Sequence, residues 1–288
     1  MGNLLITVMK FSMWMKTGSS AMFSEAMHTL VDCGNQAFLL MGLRQASMAA
    51  DTTFQYGYGR AAFFWSLVSA LGMFWMGACV STFHGVANLI TPHPHIDVGW
   101  ETWAVLGFSF AVDGVVFAKA FKELRARAQE DQSPMLRYLV QMKDPFLLAV
   151  LLEDFSGTVG VLLASAGIGL TQLTGNVLWD SLASISIGGL LGGVALTLVR
   201  TNQRFLLGQS VEREVTNDIK KLILARPAVE RVYEVQSQWL GPASFSYKAE
   251  IDFDGSNLAA QLHHACVSPC ARVVQRCFTV QRDQQLRE

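Results

Sequence analysis

Two ionisable residues four positions apart, His28 and Asp32, interrupt an otherwise apolar stretch from about Ala21 to Leu43. A second long apolar stretch carries the acidic pair Glu153 and Asp154. Imidazole nitrogen and carboxylate oxygen suit zinc and its first-row neighbours, and a tetrahedral site takes about four such donors. Residues at i and i+4 of a helix lie one above the other, so His28 and Asp32 share a face, and Glu25 joins it three residues earlier. Ser24, Asn35 and Gln36 extend that polar stripe, the pattern of a helix lining a cavity. One helix supplies two donors well, and the rest have to come from another. Asp154 is the natural candidate, with Glu153 beside it and Gly157 and Gly160 close behind to permit tight helix packing.

Ionisable groups are costly in the hydrocarbon core of a bilayer and are seldom kept there without a task. The bland reading of His28 is a hydrogen-bonded packing residue, and the three carboxylates that accompany it weigh against that. Asp113, in the fourth apolar segment, either faces the same cavity as Glu25 or is an interhelical hydrogen-bonding residue; the sequence leaves both open. Asp180, next to Trp179, reads as an interfacial helix start. His93 and His95 read as part of a solvated loop. His263, His264, Cys266 and Cys270 have helical spacing and soft donors but no matched partner helix.

The elements that must position these residues are membrane helices. Of 288 residues, 51% are hydrophobic and only 16% charged, which is the composition of a membrane protein with a polar appendage. Six apolar segments fall at roughly 3–16, 21–45, 62–90, 100–121, 145–168 and 178–200. The last five reach the length of about 20 residues that a span needs. The first covers about 21 Å at about 1.5 Å per residue, short for a core of about 30 Å; it reads as a thinned span or as a start lacking residues, with truncation favoured. Lys10 and Lys16 argue against a cleaved leader. The five cysteines do not form a disulfide framework, so reduced thiols are expected.

Basic residues cluster between the second and third segments, between the fourth and fifth, and after the sixth. The loops at 91–99 and 169–177 have no Lys or Arg. The positive-inside rule then puts both termini on the cytosolic side of a multi-pass protein. Residues 1–206 are the predicted transmembrane domain and 207–288 a cytosolic α+β domain. In the latter, Val211 to Ala225 reads as an amphipathic helix with Val215, Ile219, Leu222 and Ile223 on one face. Val229 to Gln238 and Phe245 to Phe253 read as strands joined at Leu240-Gly241-Pro242, and a further helix starts at Asn257. A net charge of −1 with no basic domain gives no sign of nucleic-acid binding. Walker, dinucleotide and nucleophile-elbow motifs are absent, so the chain does not read as an enzyme. An integral-membrane di-iron oxidase would need many closely spaced histidines, and the chain has six in all.

The block from Gly18 to Gln36, with Ser24-Glu25-Ala26-Met27-His28-Thr29-Leu30-Val31-Asp32 at its centre, resembles the cation diffusion facilitator family of metal–proton antiporters, and its zinc transporter 9-like branch in particular. Tyr56-Gly57-Tyr58-Gly59-Arg60, Val112-Asp113-Gly114, Leu151-Leu152-Glu153-Asp154, Leu206-Leu207-Gly208 and Gly241-Pro242 support it, so the resemblance covers nearly the whole chain. It implies six spans followed by a metallochaperone-like domain, a homodimer in the bilayer, and export of a divalent cation, most often Zn²⁺, against protons. The ion is a substrate, and no cofactor is implied. The transport ligands carry over to His28, Asp32 and Asp154. The family's fifth-span His, four residues before that Asp, is replaced by Val150, which leaves Glu153 or water as the fourth donor. Phe54-Gln55 stands where related members have His-Pro, and Tyr233 where a strand ligand is often found, so no metal site is expected in the C-terminal domain. These departures sustain an alternative, a non-transporting or heterodimer-dependent regulatory member.

Overall fold

The computed structural model describes residues 2–91, 98–130, 134–135, 138 and 144–256. The chain divides into two compact units, one comprising Met1–Met48 with Ala61–Gln203, the other Ala49–Arg60 with the residues from Arg204 onward. The loop at 49–60 therefore belongs with the C-terminal unit, which the apolar pattern did not foretell.

The first unit is helical. Helix α1 is Gly2–Thr17 and α2 is Ser20–Ala46. Gly18, at φ +68°, makes the turn between them, and Ser19 caps α2 by accepting from the Met22 amide at 3.1 Å. Helix α3, Ala61–Gly72, passes through a π-helical segment at Met73–Cys79 into α4, Val80–Ile90, so that one rod runs over Ala61–Ile90. Helix α5 is Trp100–Glu130. Helix α6, Pro145–Thr174, is fixed at both ends: Asp144 accepts from the amides of Phe146 and Leu147, Pro145 occupies the first turn, and Gly175 ends it at φ +68°. Helix α7 is Leu178–Leu206.

Among the described residues, four rods are long and apolar enough to cross a membrane: Ala61–Ile90, α5, α6 and α7. Helix α2 has the length, at 27 residues, but carries the polar stripe, and α1 has 16 residues. Helix α2 is central, lying against α1, α3, the π segment, α4 and α6. Two apolar clusters bracket its polar stretch. One holds Val31, Leu39, Met73, Leu148, Leu151 and Leu198; the other Met22, Leu106, Val161, Ile168, Ile187 and Leu191. On α2 the polar residues lie between Met22 and Leu39, and on α6 between Leu151 and Val161. Trp75, Phe83, Ile90 and Leu173 are exposed, as lipid-facing residues are.

In the second unit, α8 is Arg213–Leu224, and the antiparallel strands β1, Val229–Gly241, and β2, Ser244–Phe253, form a hairpin. The strands run a few residues longer than the pattern predicts, and the turn is Pro242-Ala243. A register shift between Tyr233 and Gln236, spanning Glu234 at φ +41°, marks a bulge. No residue of α8 is fully buried among the described residues; on its predicted apolar face Ile219 and Ile223 are half-buried, and Val215 and Leu222 are exposed. The helix expected from Asn257 and the four residues His263, His264, Cys266 and Cys270 lie outside the described residues, as do His93 and His95. The 49–60 loop is built around Asp51, which accepts from the amides of Thr53 and Phe54 and from the Tyr58 hydroxyl. Gly59 and Gly241 stand back to back, and a Cβ on Gly59 would lie 2.6 Å from the Leu240 carbonyl oxygen. Arg60 donates to Gln238 at 2.9 Å.

Candidate metal site

Helical periodicity sets Glu25, His28 and Asp32 on one face of α2. His28 is buried, with 2% of its side chain exposed, and its Nε2 lies 3.4 Å from Asp32 Oδ2. A Cβ on Gly157 of α6 would lie 3.0 Å from His28 Nε2 and 3.5 Å from Asp113 Oδ2. The glycine thus leaves room where the imidazole of α2 and the carboxylate of α5 converge. Asp113, which the sequence left open, stands beside His28 and also accepts from Ser109 at 3.0 Å. One turn along α6, a Cβ on Gly160 would collide with Glu25 Oε1.

Both acidic residues of α6 turn toward this region. Glu153 is buried and accepts from Asn35 of α2 at 3.0 Å. Asp154 is half-buried, with its Oδ2 atom shielded. Asp32 lies within electrostatic reach of Glu153, Asp113 and Asp154. His28 Nδ1 and Nε2, Asp32 Oδ1, Asp154 Oδ2 and Glu25 Oε1 are all buried with no hydrogen-bond partner among the described residues. Buried polar groups are ordinarily satisfied, and these are donor atoms of the types that bind divalent cations. They do not form a closed ligand sphere: among the described residues no group of three or more His, Cys, Asp or Glu side chains stands at metal-binding spacing. Val150, at the position of the family's fifth-span His, packs against the Leu148–Leu151 apolar cluster.

Two residues carry parts that the sequence reading did not assign. Lys10 of α1 is fully buried and donates to Glu25 Oε2 and to the Thr29 hydroxyl, each at 2.9 Å. Its position inside an apolar segment was the available signal, because an ammonium there needs an anion. Asp180 sits in the first turn of α7, the helix start that the sequence suggests, and there it is fully buried and accepts from Ser19 Oγ and from the amides of Ser20, at 2.6 Å, and Ala21, at 3.3 Å. It closes the N-terminus of α2, whose first amides have no intrahelical acceptor.

Residues 1–207 match the cation efflux transmembrane domain. The chain is 37% identical over 246 residues to the mouse protein named proton-coupled zinc antiporter SLC30A9, mitochondrial, which is 85% of this chain and 43% of that one. It is 33% identical over 255 residues to metal tolerance protein C4 of Arabidopsis thaliana, 88% of this chain and 55% of that one. It is 23% identical over 261 residues to the cation-efflux pump FieF of Pectobacterium carotovorum, 90% of this chain and 80% of that one. The chain thus spans about half the length of the mouse and Arabidopsis relatives. With the efflux domain matched across the whole helical unit, the chain belongs to the cation efflux, or cation diffusion facilitator, family, in its zinc transporter 9-like branch.

Proposed function

We propose that the chain carries a divalent cation, Zn²⁺ foremost, across a membrane in exchange for protons. The observation that carries this reading is the set of buried donor atoms without hydrogen-bond partners on the facing sides of α2 and α6. His28, Asp32 and Asp154 are the proposed ligands, with Glu153 as a further donor once Asn35 yields it. Glu25 and Asp113 line the adjoining cavity. Ligand atoms must give up protons to bind a metal, so metal and protons compete for the same lone pairs, which is the chemical basis of exchange. An imidazole is suited to that competition because its free form titrates near neutrality. The open ligand arrangement fits one stage of alternating access, in which one group of helices rocks against another and completes the coordination. In this reading α1 and α2 are spans as well, giving six, the termini face the cytosol, the 207–288 region is a cytosolic domain, and the working unit is a homodimer.

The test is zinc flux in proteoliposomes under an imposed pH gradient. The parental chain is expected to move zinc against protons, and His28→Ala and Asp32→Ala to lose at least nine-tenths of that flux. Flux at the parental rate in either variant rejects the mechanism. A second reading, a non-transporting or heterodimer-dependent member, is favoured by the packing of Val150 among apolar side chains where the family places a His. It predicts weak zinc binding by the chain alone and recovery of flux only with a complete family partner.

A further inference from the structure

Beside the proposed ligands stands a charge that the transport reading does not use. Lys10 and Glu25 are each 0% exposed and are paired at 2.9 Å, with Thr29 as second acceptor of the ammonium. Glu25 is three residues before His28 on the same face of α2. Its second oxygen, Oε1, is buried without a hydrogen-bond partner among the described residues and abuts Gly160, one helical turn from the glycine against which His28 and Asp113 meet. Asp113 also lies within electrostatic reach of Glu25. Glu25 therefore offers a buried carboxylate oxygen on the face of α2 that carries the proposed ligands, but its charge is already matched by Lys10.

Resting on the transport reading, we infer that Lys10 is a specificity-determining residue: its ammonium is a resident cation that holds Glu25 out of the metal's ligand set and so keeps the site weak enough to release its ion. Affinity of an oxygen-rich cation site rises with the number of charged ligands. Transit demands binding firm enough to enter and weak enough to leave. With Lys10 present, His28, Asp32 and Asp154 bind the ion without Glu25 as a fourth ligand. Without the ammonium, Glu25 becomes an uncompensated anion one turn away and joins them. The lysine reaches His28 and Asp32 electrostatically too, so its loss also removes a repulsion on the incoming ion.

The experiment measures zinc affinity of the detergent-purified full chain by competition with a chromogenic chelator, together with zinc flux in proteoliposomes. Lys10→Met is expected to bind zinc at least tenfold more tightly and to transport at least fivefold more slowly. Lys10→Met/Glu25→Gln is expected to reverse the tightening, to within threefold of the parent. Mere structural damage weakens binding and does not produce a tighter site. A monodisperse Lys10→Met protein with parental or weaker affinity overturns the inference. So does a tenfold loss of affinity in the double variant, because Glu25 would then be a ligand already. Should the single variant fail to fold with its bare buried carboxylate, the double decides alone, since neutral replacements of a buried ion pair are usually tolerated: affinity within threefold of the parent supports the inference. A parental protein that binds no zinc strikes the transport reading instead.

Discussion

Gly157→Ala is the most direct probe of the close approach of α2, α5 and α6. The added methyl would stand 3.0 Å from His28 Nε2 and 3.5 Å from Asp113 Oδ2. The first contact is tighter than nearly all Cβ contacts in proteins, so the imidazole has to give by a few tenths of an ångström, from a position already only 3.4 Å from Asp32. Overpacking of this kind costs about 1–3 kcal/mol. Replacing a helix-interior glycine by alanine returns about 1 kcal/mol, so the net change in fold stability is about 2 kcal/mol at most. Metal binding has no such compensation. Zn–N bonds are held near about 2.0–2.1 Å, and a displaced ring that costs the complex about 1.4 kcal/mol lowers affinity about tenfold.

The assay pairs chelator-competition affinity with thermal unfolding in detergent. Gly157→Ala should bind zinc at least tenfold more weakly while its melting midpoint moves by only a few degrees. Gly189→Ala on α7, where a Cβ meets nothing within 4 Å, is the control and should bind as the parent does. Parental affinity in Gly157→Ala would refute the placement of His28 in the ligand set, because the methyl cannot enter without moving that ring.

Asp180→Ala removes the acceptor of Ser19 Oγ and of the Ser20 and Ala21 amides, leaving buried donors unmet. It should destabilise the helical unit by about 1–3 kcal/mol, and an unchanged melting midpoint would contradict the cap. Val150→His puts a polar ring into the Leu148–Leu151 cluster, so stability should fall while zinc affinity rises about tenfold through a fourth donor. Unaltered affinity in a folded variant would show that position 150 does not reach the ion. The Asp51 carboxyl is held below the usual carboxylate range by the Phe54 amide and the Tyr58 hydroxyl. Its contribution to the 49–60 loop is therefore complete above the ordinary carboxylate pKa and disappears as pH falls through the lowered value. Protease nicking of the loop should be faster in Asp51→Ala than in the parent at neutral pH, and the difference should close in acid; equal nicking at neutral pH would count against it.

Local periodicity made the helices and the shared face of Glu25, His28 and Asp32 legible, since i, i+3 and i+7 coincide on any α-helix. It also made Asp154 a candidate, because a carboxylate in an apolar run has few structural excuses. What periodicity could not supply was the identity of partners on other helices. Lys10 lies inside the first apolar segment with no partner named by the local pattern, and only the packing of α1 on α2 sets it on Glu25. Asn35 and Glu153 are 118 residues apart and meet at 3.0 Å. Asp180 stood beside a tryptophan at the edge of an apolar run, the usual mark of an interface, and only the fold brings it to the start of α2. The loop at 49–60 joins the C-terminal unit through the contact of Gly59 with Gly241, and two glycines chosen for backbone approach leave no hydropathy signal.

The contrast among the buried polar groups is the strongest physical argument that the unsatisfied ones are functional. This fold satisfies buried charge readily: Lys10 answers Glu25, Asn35 answers Glu153, and the α2 amides answer Asp180. Each of these involves α2, at distances from His28 that a side chain or two can bridge. Leaving a buried polar atom unpaired costs about 1–3 kcal/mol, so Nδ1 of His28, whose Nε2 meets Asp32 only at 3.4 Å, and an oxygen of each of Asp32 and Asp154 represent a concentrated liability in one belt between two apolar clusters. Other buried atoms without a hydrogen-bond partner among the described residues, such as Ser69 Oγ, Asn202 Oδ1 and Tyr247 OH, are scattered hydroxyl and amide groups, whereas those of His28, Asp32 and Asp154 share metal-binding chemistry and location. A divalent ion satisfies several of them at once, and one present at a hundred times its dissociation constant stabilises the state that binds it by about 2.7 kcal/mol. That gain is comparable to the cost, so metal occupancy is able to tip a helix arrangement held by apolar contacts above and below and by a few polar contacts such as that of Asn35 with Glu153. On this reasoning the protein should melt higher in zinc than in calcium, whose preference for six or more oxygens an imidazole-centred belt does not meet.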